Sequence, residues 1–93
     1  MTSHIYILNF PKKLYISNVE DIREYLETYY FRGRTLTFRE EDSFGAGALT
    51  EDSSKVVTVL AFTTPKSTLT IRTYTEQDSE VITSMEIYEA SNT

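Results

Sequence analysis

Three strand-like runs, joined by two short turns, occupy the C-terminal half of this 93-residue sequence. The first run, 55–63, is apolar on both faces, which is typical of a central strand that is covered on both sides. The second, 67–75, places Leu69 and Ile71 opposite a face rich in threonine, as a half-buried strand does. The third, 80–89, alternates in the same way. Because the connections are short, we expect the three strands to form an antiparallel meander.

A helix start is indicated at residues 17–21, where capping-box spacing occurs twice. Either Ser17 with Glu20 or Asn18 with Asp21 can satisfy the free amide groups of a first helical turn. The early acids also suit the positive end of the helix dipole. The sequence therefore predicts a capped helix but leaves two alternatives for its cap.

The helix itself is expected over 20–31, with Gly33 as a left-handed stop. Apolar side chains recur through it at helical spacing and form one stripe, which should lie on the sheet. The stripe comprises Val19, Ile22, Leu26 and Tyr29, and it is widened by Tyr25 and Tyr30.

Further strands are predicted on both sides of the helix. Residues 4–10 are rich in β-branched and aromatic side chains and form the expected first strand. Residues 14–16 are either a short second strand or an extended lead into the helix. Residues 34–39 alternate again, with Leu36 and Phe38 facing inward.

The predicted fold class is α+β, with one helix packed on a mainly antiparallel sheet of four to five strands. The element order is β-(β)-α-β-β-β-β, and the meander is C-terminal. We expect a single domain over 1–93. Within it, 40–54 has no sustained period and is expected to be a flexible acidic loop, and 90–93 a tail.

Negative charge is concentrated in two segments that contain no lysine or arginine. Residues 40–54 and 76–93 each carry five carboxylates, in a chain whose net charge is −5. If these segments meet in the fold, they form a negative surface that attracts a basic partner. The candidate partner-binding residues are Glu40, Glu41, Asp42, Glu51, Asp52, Glu76, Asp78 and Glu80.

The sequence offers little for catalysis. There is no cysteine, and the single histidine, His4, lies at the start of a predicted strand. No Gly-x-Ser-x-Gly turn is present to expose a nucleophilic serine. We therefore expect a protein that is not an enzyme and has no catalytic residues.

Metal binding has one candidate stretch, 40–51, which matches a calcium loop at its third, sixth and twelfth positions. It departs from that pattern at Glu40, where aspartate is usual, and at Phe44, which has no oxygen to offer. The flanking residues are predicted strands and not helices. We therefore expect neither a metal nor another cofactor.

Direct nucleic-acid binding and membrane insertion are both disfavoured. Basic and aromatic residues such as Arg32, Arg34 and Tyr30 could form one face, but the net charge of −5 opposes binding to phosphates. No apolar run approaches the roughly 20 residues that span a bilayer. The start of the chain lacks the basic-then-apolar pattern of a signal peptide. The expected location is the cytoplasm.

The favoured hypothesis is a small acidic protein-binding domain that occludes a basic, nucleic-acid-binding site on a partner protein. Its size, its lack of catalytic groups and its clustered acids are similar in style to phage-encoded inhibitors such as anti-CRISPR proteins. The likeness lies in size and charge and not in any motif, and it implies action in a host cytoplasm. The alternative is a structural or assembly subunit that forms a homodimer through a sheet edge.

Overall fold

The computed structural model describes residues 2–7, 10, 12–49 and 54–91. Along these residues the chain forms one α-helix, one short 3-10 turn and six β-strands. They are β1 (Thr2–Ile7), α1 (Val19–Tyr29), β2 (Thr37–Phe38), the 3-10 turn (Glu40–Asp42), β3 (Phe44–Leu49), β4 (Lys55–Thr63), β5 (Ser67–Glu76) and β6 (Ile82–Ser91).

The strands form one antiparallel sheet in the order β1-β6-β5-β4-β2. Strand β3 also pairs with β4, so β2 and β3 follow one another along the same edge of that strand. The predicted α+β class, with one helix, an antiparallel sheet and a C-terminal meander, is therefore confirmed.

Of the two alternatives for 14–16, the structure shows an extended lead into the helix, with a single bridge between Tyr15 and Val81. Two local predictions differ from the structure. The expected loop at 40–54 contains the 3-10 turn and β3, and the expected tail at 90–93 begins inside β6. Strand β3 was not predicted from the sequence. Its pairing with β4 is irregular between Phe44 and Ala48, and an irregular register removes the alternation of side chains by which a strand is recognised.

The second of the two possible caps starts the helix. The Asp21 amide donates to Asn18 Oδ1 at 3.2 Å, and Asn18 Nδ2 donates to Asp21 Oδ2 at 3.1 Å. Gly33 has a φ of +80°, the left-handed conformation that was predicted for it. The helix ends at Tyr29, whose side chain is 52% exposed, so the buried stripe is narrower than expected. It consists of Ile22, Tyr25 and Leu26.

The core lies between α1 and one face of the sheet. A cross-strand row of Leu60, Ile71 and Ile87 crosses its centre, and all three side chains are buried. The register of β5 and β6 shifts between Tyr74 and Thr75, which bulges β6 and keeps its buried side chains on the core face. Within the described ranges, no helix packs on the opposite face of the sheet.

A groove with an acidic rim

A groove of about 620 Å³ lies between the start of α1, the 3-10 turn and β4. Its walls are largely apolar. The apolar residues that line it are Ile16, Val19, Phe38, Phe44 and Leu60. The Phe44 side chain is 71% exposed, although large apolar side chains are usually withdrawn from water.

The 3-10 turn is anchored to β4 by hydrogen bonds on both sides. The Arg39 amide donates to the Ala61 carbonyl at 2.7 Å, just before the turn. Just after it, Ser43 Oγ accepts from the Ala61 amide at 2.9 Å and donates to the Arg39 carbonyl at 3.0 Å. The turn is thus fixed on the sheet edge between β2 and β3, with Glu40, Glu41 and Asp42 exposed.

Charge within the turn is partly compensated by Arg39. Its Nε lies 3.6 Å from Glu41 Oε1, and its Nη2 forms an ion pair with Asp42. Glu40, by contrast, forms no ion pair with any residue that the structure describes, and it lines the groove. The sequence had placed Arg39 outside the acidic segment, so this compensation was missed.

The second acidic group lies in and beside the turn between β5 and β6. Glu76 ends β5 opposite Lys55, and Asp78 has a φ of +64° within the turn. The carbonyl of Glu80 accepts from the Ile16 amide at 2.8 Å, and Glu80 lines the groove.

The structure therefore brings two of the predicted site residues, Glu40 and Glu80, to one groove. Glu41 and Asp42 lie beside the first, and Glu76 and Asp78 precede the second in the chain. The remaining two candidates, Glu51 and Asp52, lie outside the described residues.

The other acids of the C-terminal segment are held in internal contacts. Glu89 Oε2 accepts from Ser67 Oγ at 2.8 Å and lies 2.5 Å from Arg34 Nη1. Both contacts lower the pKa of Glu89 below its usual value, and the hydrogen bond from Ser67 has the larger effect. Glu86 accepts from the hydroxyls of Tyr74 and Tyr88, which raises the pKa of both tyrosines.

Two of the acids of the helix, Glu20 and Glu27, are also held in internal contacts. Arg23 forms ion pairs with Glu20 and, at 2.7 Å, with Glu27. The Leu36 amide donates to Glu27 Oε2 at 2.7 Å, and this bond is the main cause of the lowered pKa of Glu27. A count of acids along the sequence therefore overstates the charge that is available to a partner.

One further group in the groove is a buried hydroxyl. Thr58 lies on β4 and is only 4% exposed, and its Oγ1 has no hydrogen-bond partner in the described part of the chain. Its carbonyl, in contrast, accepts from Thr73 Oγ1 at 2.8 Å. Sequence reasoning found neither Thr58 nor the exposed Phe44. The signal that could have indicated Phe44 is an aromatic residue within an acidic, glycine-rich stretch.

The described residues contain no group of three or more side chains that could hold a metal ion. The stretch that was compared with a calcium loop forms the 3-10 turn and β3 as far as Leu49. No helix in the ranges that the structure covers is long and apolar enough to cross a membrane. Comparison with protein families, with curated proteins and with solved structures gives no match.

Proposed function

We propose that this protein is a non-enzymatic binding domain whose acidic surface docks on a basic surface of a partner protein. The observation that carries the proposal is that Glu40 and Glu80, which belong to separate acidic segments, line one groove. Negative charges placed in this way attract a basic partner during encounter and select against acidic competitors.

The most abundant basic surfaces on proteins are those that bind nucleic acids, because such surfaces must neutralise phosphates. The proposal therefore extends to a partner whose nucleic-acid-binding site is occluded, in the cytoplasm, in the style of phage-encoded inhibitors. What supports this extension is the small size, the net charge of −5 and the two acidic groups at one groove.

A charge-reversal experiment tests the proposal. Tagged wild-type protein and the Glu80→Lys variant are used to capture partners from lysate of the source organism, at low and at high salt. We expect the wild type to retain a basic protein at low salt and to release it at high salt. We expect the variant to lose that protein, because a like charge in the interface costs several kcal/mol.

Glu24→Lys is the matched control, since it makes the same change in net charge on the exposed side of α1. It should retain the partner. A partner that resists high salt, or that both variants retain equally, would contradict the proposal.

A second candidate function, self-assembly through a sheet edge, is favoured by the position of β1. This strand pairs only with β6 among the described strands and forms one end of the sheet order. Such an edge can pair with a second chain. Sedimentation of the purified protein over a range of concentrations tests this candidate. Self-assembly would be supported if the protein formed a dimer that a proline in β1 abolished. The Glu80→Lys variant should then still form the dimer, because the acidic surface would have no part in it.

A further inference from the structure

We propose that the groove binds a lysine or arginine flanked by apolar residues in an extended segment of the partner protein. The cation would lie between Glu40 and Glu80, and a flanking apolar side chain would contact Phe44. This inference rests on the proposed function and deepens it, because it assigns a chemical class to the segment that the acidic surface recognises.

The apolar part of the recognition follows from the walls. Phe44 is 71% exposed and stands beside the partly buried Phe38 and Val19. Removing an apolar side chain from water favours binding in proportion to the apolar area that is covered. A purely polar segment would leave Phe44 in contact with water, whereas an apolar neighbour of the cation would cover it.

The charged part follows from the rim. Two acidic residues, Glu40 and Glu80, line the groove, and none of the described residues that line it is basic. The adjacent helix start does not turn it into an anion site, because Asn18 already caps the Asp21 amide and Asp21 brings a further negative charge. A positive group is therefore the complementary ligand.

The buried hydroxyl of Thr58 is an independent indication that the groove takes a ligand. Thr58 is one of the residues that line the groove and is 4% exposed, and its Oγ1 has no hydrogen-bond partner among the described residues. A buried polar group without a partner destabilises the folded protein, because it has lost its hydrogen bonds to water. An extended peptide carries a backbone amide and carbonyl at every residue and can supply the missing partner.

The test uses ¹⁵N-labelled protein and two short synthetic peptides of equal charge. In one, a central lysine is flanked by leucines, and in the other, by serines. We expect the leucine peptide to bind at least about fivefold more tightly and to shift the amide resonances of Val19, Phe44 and Thr58. Phe44→Ala should remove that preference, and it should leave the fold intact because the side chain is exposed.

Thr58→Val is the second variant and should weaken binding of the leucine peptide by about fivefold, through the loss of one hydrogen bond. Its isosteric shape keeps the groove in place, and the resonances of the free variant verify this.

The outcomes separate the two proposals. Equal binding of both peptides at the acidic residues would overturn the inference and leave the acidic docking surface standing. If neither peptide bound, both the inference and the acidic docking surface would be overturned. A preference for leucine that persists in Phe44→Ala would also overturn the inference, because another surface would then hold the peptide.

Discussion

Glu40 and Glu80 line the same groove, although one follows β2 and the other precedes β6. Two anchors produce this arrangement. The 3-10 turn that carries Glu40 is bonded to Ala61 on β4, and the backbone of Glu80 is bonded to Ile16 before the helix. The groove is therefore a consequence of how two connections are tied to the sheet and to the helix start.

The hydroxyls of Thr58 and Thr73 should contribute to stability with opposite signs. Thr58 Oγ1 has no partner among the described residues, so Thr58→Val should raise the free energy of unfolding by about 1 kcal/mol. Thr73 Oγ1 donates to the Thr58 carbonyl, so Thr73→Val should lower it by about 1 kcal/mol. Urea denaturation of both variants measures the difference. Equal losses of stability would show that Thr58 Oγ1 is satisfied in the folded protein.

The helix cap can be tested at two adjacent residues. Asn18 accepts the Asp21 amide, so Asn18→Ala should reduce the free energy of unfolding by about 1 kcal/mol. Ser17→Ala is the control and should change it by less than about 0.5 kcal/mol, because Ser17 is exposed and forms no cap. Thermal or urea denaturation distinguishes them. A larger loss for the serine variant would assign the cap to Ser17 and Glu20.

Glu27 should make stability depend on pH in the acid range. Its pKa is lowered from 4.5 in the folded protein, chiefly by the Leu36 amide. A group with a lowered folded pKa stabilises fully above its unfolded pKa, and this stability is lost as the pH falls through the folded value. Glu27→Gln should therefore be less stable than wild type at pH 7, and the difference should shrink below about pH 4.5.

Denaturation of both proteins between pH 7 and pH 3 measures this effect. Glu24→Gln, an exposed change on the same helix, should stay within about 0.5 kcal/mol of wild type at pH 7. A difference between Glu27→Gln and wild type that stays constant over this range would contradict the assignment.

Asp78 is a candidate site residue whose backbone limits the useful substitutions. At a φ of +64°, glycine and asparagine are tolerated, whereas a β-branched residue is strained. Asp78→Val should lower the free energy of unfolding by about 1 to 2 kcal/mol, and Asp78→Asn should leave it nearly unchanged. The asparagine variant is therefore the suitable probe of the carboxylate. If the Asp78→Val and Asp78→Asn variants had similar denaturation midpoints, residue 78 would not have a positive φ in the folded protein.

Regular alternation predicted most of the sheet. Strand β4 and the start of β5 have the predicted bounds, since β4 is largely apolar on both faces and the side chains of β5 alternate. The helix was predicted from its capping residues and its stripe of apolar side chains. Only the structure shows that Asn18 and not Ser17 forms the cap. Strand β3 was missed because its irregular register and glycines conceal any period.

The acidic surface could be predicted only in outline. Clustering along the sequence identified Glu40 and Glu80, but it did not show that Arg39 compensates two neighbouring acids. Nor did it show that Glu89 is bound to Arg34, which lies across the fold. Pairings of this kind arise from tertiary contacts, and a count of charges contains no information about them.

The most direct test of the acidic docking surface compares two variants of equal net charge. Glu40→Gln with Glu80→Gln removes the groove carboxylates, and Glu20→Gln with Glu24→Gln removes two acids of the helix. Binding of an oligolysine peptide is measured by calorimetry at low salt. The account predicts about tenfold weaker binding for the groove variant and near wild-type binding for the helix variant. Equal weakening of both would contradict it, because net charge alone would then explain the binding.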